Sequence, residues 1–157
     1  EKAKESNISI LIPGDVFSAT THIMIYNRAK ESKIETKVIN NASILTAIGI
    51  TGLDLYKFGR TTTIPKENNN LTSPIEIINN NLKNNLHSLI LLDIGMTVKQ
   101  AINYLKKYNI NNKFIACYNL GKDNQKITQT IEKEEGMQCL IIPAKLHFIE
   151  EESLKRT

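Results

Sequence analysis

The amino-acid sequence predicts an α/β fold. Short apolar runs rich in β-branched residues recur along the chain, and stretches with apolar residues at helical spacing separate them. Several of these runs end at Pro, Gly or Asp, which commonly stop strands. With 157 residues, of which 41% are hydrophobic and 23% charged, the chain can bury a core of its own. Alternation of this kind indicates a sheet with helices on both faces.

The first third of the chain predicts two strands and two helices. Pro13 and Gly14 end the first apolar run. Ser43 has the residue type and the position of a helix N-cap. The predicted elements are, in order, a strand over 8–12, a helix over 19–33, a strand over 37–39 and a helix over 44–48.

The remainder of the chain repeats the pattern more strongly. Residues 88–93 are apolar almost throughout, which favours a strand covered on both faces. Ser73 as N-cap with Pro74 at the first helical position, and Thr97 as a second N-cap, mark two helix starts. The predicted elements are a strand over 61–64, a loop over 66–72, a helix from 73, a strand over 88–93, a helix over 98–108, strands over 114–118, 126–131 and 139–142, and a short helix over 150–155.

The composition excludes several classes of protein. The net charge of +4 is small and spread along the chain, and Trp is absent, so direct nucleic-acid binding is not expected. No apolar run reaches the length of a membrane-spanning helix, and the charged start of the chain lacks a signal-peptide core. Cys117 and Cys139 lie inside apolar runs, which favours buried, reduced thiols. We therefore expect a cytoplasmic protein with neither a membrane nor a nucleic-acid partner.

Polar residues after the predicted strands are the candidate site residues, because α/β sheets bind ligands at the carboxyl ends of their strands. These candidates are Asp15, Ser43, Asp93, the segment 119–121, and the pair Lys145 and His147. Each also has a structural interpretation as a turn, a helix cap or a solvated side chain. Taken alone, the residues favour the structural role everywhere except at Asp93, where the two interpretations are balanced.

Motifs of several enzyme classes are missing from the sequence. The three histidines lie far apart and lack partners at metal-ligand spacing, so no metal site is predicted. The chain has no Cys-x-x-Cys, Walker A, Gly-x-Ser-x-Gly or Gly-x-Gly-x-x-Gly motif. The residues alone thus predict an α/β ligand-binding or enzyme domain with its site at the strand carboxyl ends.

A set of segments, in a fixed order, resembles one family. The most specific are Ala-Thr-Thr-His at 19–22 and Tyr-Lys-Phe-Gly at 56–59. The others are 11–15, 42–44, 49–53, 86–89, 92–94, 96–97, 142–143, 145–148 and 150–152. Together these segments extend over nearly the whole chain. They resemble the corresponding segments of the diphthine synthase family, which belongs to the tetrapyrrole methylase superfamily.

This resemblance implies an S-adenosylmethionine-dependent protein methyltransferase that works as a homodimer. Its implied substrate is translation elongation factor 2, and it methylates the amino group of a 3-amino-3-carboxypropyl-histidine on the way to diphthamide. No catalytic side chain is implied, because methyl transfer from an activated donor depends mainly on proximity and orientation. The residues that the resemblance implies in cofactor binding are Asp15, Ser18, Ser43, Ile44, Leu92, Leu120 and Gln138. Lys145 and His147 are motif residues to which it gives no role.

The chain also departs from the family pattern. Gln138 stands where the family usually has a histidine, residues 119–122 replace an Arg-x-Gly-Ser segment, and the loops near Asn70 and Gly95 are shortened. The resemblance implies a two-domain fold with most of the N-terminal domain missing, so that residues 1–40 are its remnant and 41–157 form the C-terminal domain. Two alternatives follow: a truncated, non-catalytic paralogue that acts as a binding or dimerisation module, and a small-molecule methyltransferase of the same fold.

Overall fold

A computed structural model describes residues 2–68, 70–133 and 136–156. The chain divides into two compact units, Glu1–Ala47, the N-terminal unit, and Ile48–Thr157, the C-terminal unit. Each unit is described by itself. The domain division implied by the resemblance, 1–40 and 41–157, stays a prediction.

The N-terminal unit contains helices α1 (Ile23–Glu31) and α2 (Ile44–Ala47) and no strand in its described part. The predicted strands over 8–12 and 37–39 are therefore wrong. Both segments have irregular structure, and Leu11 and Ile39 are 93% and 75% exposed. An apolar, β-branched run becomes a strand only when a neighbour pairs with its backbone groups, and no described residue of this unit does so.

Helix α1 begins four residues later than the predicted start at residue 19. The chain before it turns around the Asp15 carboxylate, and Ala19 has a left-handed backbone with φ of 56°. A non-glycine residue in that region is incompatible with a continuing right-handed helix. The helix ends before Lys33, whose φ is 55°.

The C-terminal unit is built on one mixed, five-stranded sheet with the order β1-β2-β5-β3-β4. β1 and β2 are parallel, whereas β5 runs antiparallel to both of its neighbours and β4 antiparallel to β3. The strands are β1 (Thr62–Ile64), β2 (Ser88–Leu92), β3 (Ile115–Tyr118), β4 (Lys126–Thr128) and β5 (Gln138–Ile142). Because β5 is reversed, its first residue lies at the sheet edge where β2 and β3 end.

Three helices accompany this sheet: α3 (Ser73–Lys83), α4 (Val98–Lys107) and α5 (Phe148–Leu154), with 3₁₀ turns at Ile48–Thr51 and Leu55–Lys57. One sheet face joins the main core with residues of α3 and α4, among them Ile78, Ala101 and Leu105. Residues on the opposite face, such as Leu89 and Ile141, are also buried. The central strands are therefore covered on both faces, as the apolar run at 88–93 predicted.

The starts of α3 and α4 differ in their caps. Ser73 was expected to cap α3, but it lies inside the helix, and the N-cap Thr72 bonds Glu76 Oε1 at 3.0 Å instead of a backbone N–H. Thr97 does cap α4: its Oγ1 accepts the Gln100 N–H at 3.3 Å, and Gln100 Oε1 accepts the Thr97 N–H at 2.9 Å. This reciprocal pair satisfies two backbone donors that the helix leaves free.

Replacing Thr97 with alanine should therefore destabilise the protein. Loss of an N-cap of this kind costs about 1 kcal/mol. Urea denaturation followed by circular dichroism would measure the change, with Thr72→Ala as the matched control because Thr72 makes no side-chain cap bond. An equal loss in the two variants would contradict the assignment of the cap to Thr97.

Candidate functional site

Three of the predicted cofactor residues lie at one edge of the sheet. Leu92 ends β2, Leu120 follows β3 by two residues, and Gln138 begins β5. Tyr118 pairs with Gln138, and Leu91 with Cys139, so the β2, β5 and β3 ends are adjacent. All three predicted residues are half-buried.

Gln138 also connects this edge to helix α4. Its Oε1 accepts the Val98 N–H at 2.9 Å, at the first residue of the helix. The side chain thereby connects the start of β5 to the start of α4. By the resemblance, Gln138 occupies the position at which the family usually has a histidine.

Asn119 shapes the corner that carries Leu120. Its N–H donates to Met137 O at 2.8 Å, and its Oδ1 accepts the Met137 N–H at 3.2 Å. Asn119 and Gly121 both have left-handed backbones, with φ of 51° and 80°, which turn the chain sharply after β3. The predicted tight turn at 119–121 is therefore present, and its polar side chain joins β3 to the segment before β5.

The N-terminal unit contains the other predicted cofactor residues. Asp15 Oδ1 accepts the Phe17 N–H at 3.0 Å, the Ser18 N–H at 2.9 Å and the Ser18 hydroxyl at 2.9 Å. The Phe17 amide and the Ser18 hydroxyl are the largest causes that hold the pKa of Asp15 below its usual 3.8. The carboxylate is therefore ionised at neutral pH, and it orders its own turn.

Ser43 acts as the predicted N-cap of α2. Its Oγ accepts the Leu45 N–H at 3.1 Å, and its carbonyl oxygen accepts the Ala47 N–H at 2.8 Å. Ile44 is the first residue of the helix. In the same unit Gly14, with φ of 79°, turns the chain immediately before Asp15.

Asp93 has a structural role in the observed geometry. Its Oδ2 accepts the Lys66 N–H at 3.3 Å and its Oδ1 accepts the Ile94 N–H at 2.8 Å, while its own N–H donates to Ile64 O at 3.2 Å. The side chain thus ties the end of β1 to the end of β2, whereas the N-cap of the following helix α4 is Thr97.

Sequence reasoning missed a buried ionic cluster at the opposite edge of the sheet. Glu150, only 3% exposed, accepts four hydrogen bonds. Its Oε1 accepts from the Asp54 N–H at 3.1 Å and contacts His87 Nε2 at 2.8 Å. Its Oε2 accepts from the Lys57 ammonium at 2.8 Å and the His147 N–H at 2.7 Å. One carboxylate therefore joins α5 to a 3₁₀ turn and to the start of β2.

The hydrogen bonds fix the protonation state of His87. Its Nδ1 accepts the Ala144 N–H at 2.9 Å, so the ring proton of the neutral form is on Nε2 and is donated to Glu150. Burial is the largest cause that lowers the pKa of His87 below 6.5, although Glu150 acts against it. Burial raises the pKa of Glu150, but the His147 amide, Lys57, His87 and the Asp54 amide outweigh it and bring that pKa to about 2.

The cluster explains the family-like segments that had no assigned role. Lys57 comes from Tyr-Lys-Phe-Gly, His87 from the segment at 86–89, and Glu150 from the segment at 150–152. Lys145 contributes its carbonyl oxygen, which accepts a hydrogen bond from Lys57, and His147 is the N-cap of α5. His87 and Glu150 are 63 residues apart, so no spacing pattern indicates their contact. The only signal for the cluster in the sequence was the set of family-like segments.

Comparison with known proteins places the chain in a family. Residues 1–135 match the family model described as tetrapyrrole (corrin/porphyrin) methylases. The diphthine synthase of Methanocaldococcus jannaschii is 39% identical over 181 residues, covering 99% of this chain and 70% of that protein. The diphthine synthase of Methanothermobacter thermautotrophicus is 37% identical, covering 98% and 68%. A crystal structure of diphthine synthase superimposes with a TM-score of 0.90 at 29% identity, covering 99% and 67%.

The chain therefore belongs to the tetrapyrrole methylase family, and methyltransferase is its class. Within that family it is similar, over almost its whole length, to proteins named diphthine synthase. These matches confirm the predicted fold class and the resemblance that the sequence segments indicated. Among residues 2–68, 70–133 and 136–156, the helices are all too short or too polar to cross a membrane.

Proposed function

We propose that the protein transfers methyl groups from S-adenosylmethionine to the amino group of the 3-amino-3-carboxypropyl-histidine of translation elongation factor 2, in diphthamide biosynthesis. The observation that carries the proposal is the similarity to diphthine synthases, at 37–40% identity over 98–99% of this chain. The substrate and the cofactor are those that the resemblance implies.

The residues present fit this cofactor chemically. The Asp15 carboxylate is ionised and half-exposed, so it can accept hydrogen bonds from hydroxyl groups or face a cationic group. The sheet edge of the C-terminal unit offers two half-buried leucines, Leu92 and Leu120, beside the polar Gln138. We assign Asp15, Ser18, Ser43 and Ile44 in one unit, and Leu92, Leu120 and Gln138 in the other, to cofactor binding.

When bound, S-adenosylmethionine supplies an activated methyl group on a sulfonium. The chain's own residues then need to bind, to orient the acceptor and to exclude water. Orientation of two reactants can lower a barrier by roughly 7–11 kcal/mol in the best cases. A site without a general base is compatible with this chemistry, because an uncharged amine already carries the lone pair that reacts.

The proposal includes a homodimer in the cytoplasm. Both follow from the resemblance. Analytical ultracentrifugation of the purified chain tests the oligomeric state: a mass of twice 17.7 kDa is the expected result, and a monomer at micromolar concentration would contradict it.

Calorimetric titration with S-adenosylhomocysteine tests the cofactor site. We expect micromolar binding by the wild-type chain and a loss of at least about tenfold in Asp15→Ala, equivalent to about 1.4 kcal/mol. Asp15→Asn keeps an acceptor for the Phe17 and Ser18 amides while removing the charge, so it separates loop order from electrostatic binding.

Asp123→Ala is the matched control, because Asp123 is an exposed aspartate in another turn. Its affinity should equal that of the wild type. If the folded wild-type chain binds no cofactor, or if the two alanine variants lose affinity equally, the assignment of Asp15 fails. Transfer of a labelled methyl group to elongation factor 2 that carries the 3-amino-3-carboxypropyl group then tests the acceptor.

A further inference from the structure

A polar pocket of about 350 Å³ lies in the C-terminal unit, between the loop after β1 and one face of α4. The loop contributes Lys66 and Asn68, and Met96 lines the pocket just before the helix. The helix contributes residues at helical spacing, which share one face: Gln100, Asn103, Tyr104 and Lys107. Because this loop follows β1 and α4 follows β2, the pocket is adjacent to the sheet edge at which Leu92 lies.

The lining of this pocket is rich in hydrogen-bond donors and positive charge. Lys66 and Lys107 each bring an ammonium group, and no described lining residue is acidic. Within the described ranges, neither ammonium lies within 4.0 Å of a carboxylate. The Asp93 carboxylate, at the end of β2, accepts hydrogen bonds from the Lys66 and Ile94 backbone amides.

The neutral side chains also favour an anion. Gln100 uses Oε1 for the Thr97 N–H and hydroxyl, which leaves its amide N–H₂ group as the free end. Tyr104 is buried and donates its hydroxyl proton to Leu71 O, and this hydrogen bond fixes the orientation of its side chain in the pocket lining. Burial raises the pKa of Tyr104 to about 12, so its phenol is uncharged at neutral pH.

We propose that this pocket binds the carboxylate of the methyl acceptor. The proposal rests on the proposed function, whose acceptor carries a carboxylate beside the amine that is methylated. Two ammonium groups and amide donors complement a carboxylate through charge-assisted hydrogen bonds. A volume of about 350 Å³ is at the small end of ligand pockets and suits a group of amino-acid size.

The site also has a defined place relative to the cofactor residues. Leu92 lies at the end of β2, with the pocket on the β1 side and Gln138, at the start of β5, on the other side. A carboxylate held by Lys66 and Lys107 would bring the attached amine toward the sheet edge. The lysines are then binding residues for the acceptor and leave cofactor affinity unchanged.

NMR titration of the isotopically labelled chain with L-2-aminobutyrate tests the site directly. At constant ionic strength, the side-chain amides of Asn68, Gln100 and Asn103 should shift. The carboxamide analogue of the same probe should cause no shift. The shifts should disappear in Lys66→Gln/Lys107→Gln and persist in Lys106→Gln, the matched control, because Lys106 is next to Lys107 but outside the lining.

Several outcomes would overturn the assignment. Equal shifts with the acid and its carboxamide would remove the role of charge, and persistent shifts in the double variant would remove the role of the lysines. Shifts with inorganic phosphate but not with L-2-aminobutyrate would identify the pocket as a phosphate site instead.

Steady-state kinetics separate this inference from the proposed function. In the double variant we expect KM for the protein acceptor to rise about tenfold, with the affinity for S-adenosylhomocysteine within about twofold of the wild type. An active wild type with an unaffected double variant contradicts the inference alone. An inactive wild type that still shows the NMR shifts contradicts the proposed function and leaves the anion site in place.

Discussion

Glu150→Gln should destabilise the protein by about 2–4 kcal/mol at pH 7, because a buried carboxylate that is removed leaves its partners unsatisfied. All four neighbours of this carboxylate are donors: the Lys57 ammonium, His87 Nε2 and the amides of Asp54 and His147. A glutamine places an N–H₂ group against two of them in either orientation. His87 cannot compensate by changing tautomer, since its Nδ1 accepts the Ala144 N–H.

The same variant should change how stability depends on pH. The pKa of Glu150 is about 2 in the folded protein and 4.5 in its usual state, so the unfolded chain binds more protons between these values. The contribution of the Glu150 carboxylate to the free energy of unfolding is fully present above pH 4.5 and declines as the pH falls toward 2. The difference between these two pKa values corresponds to on the order of 3 kcal/mol. In Glu150→Gln the free energy of unfolding should therefore decrease less between pH 4.5 and pH 2 than it does in the wild type.

Protonation of His87 also lowers the free energy of unfolding as the pH falls, but at a higher pH than that of Glu150. Its pKa is lowered from 6.5 in the folded state, so the unfolded chain takes up a proton first, and stability declines as the pH falls below 6.5. Urea denaturation between pH 3 and pH 8 would record both parts. Glu152→Gln, on the exposed surface of the same helix, should change stability by less than about 0.5 kcal/mol. Equal losses in the two glutamine variants would contradict the central role of Glu150.

The sequence pattern predicted the C-terminal unit well. The strands at 88–92, 115–118 and 138–142 were predicted from apolar runs, the strand at 62–64 from a threonine-rich run closed by Pro65, and the start of α4 from Thr97. In the last three of these strands the local pattern and the tertiary burial agree, since they are covered on both faces, whereas Thr63 in β1 is exposed. The bounds of these four strands each differ from the prediction by one residue, which is within the usual uncertainty of element ends. The strand predicted over 126–131 is shorter, because β4 ends at Thr128.

The strands predicted at 8–12 and 37–39 show where local pattern stops being sufficient. Their residues favour extended structure, but a strand is defined by its partner, which a pattern within one segment does not specify. The candidate site has the same limit. The rule about carboxyl ends pointed to Asp93 and the segment 119–121, whereas only the resemblance to a family indicated Leu92 and Gln138 as cofactor residues. Gln138 lies outside the reach of that rule because it starts an antiparallel strand.

The buried cluster could not be predicted from spacing at all. Lys57, His87 and Glu150 occupy three segments far apart in the chain, and each looks like an ordinary polar residue in its own neighbourhood. What the sequence did contain was a set of short segments that resemble one family. The structure shows that several of them share one physical purpose, which is to satisfy a single buried carboxylate.

Gly59→Ala should be the most damaging small substitution in the Tyr-Lys-Phe-Gly segment, with a loss of about 2–4 kcal/mol. A Cβ on Gly59 would lie 2.2 Å from Asn81 Oδ1. Asn81 is 5% exposed, and its amide bonds the Arg60 N–H at 3.1 Å, Arg60 O at 2.9 Å and Ser88 Oγ at 3.0 Å. The amide cannot move away without leaving these groups unpaired, so the clash becomes a loss of hydrogen bonds as well.

Gly49→Ala is the matched control, since the nearest atom to its new Cβ is the flexible Leu55 side chain at 3.4 Å. Thermal and urea denaturation should show little change there and a clear loss at Gly59. The double variant Gly59→Ala/Asn81→Ala removes the clash, so its loss should be smaller than the sum of the two single losses. Additive losses would mean that the methyl group is accommodated elsewhere, and that the glycine is required for a reason other than its contact with Asn81.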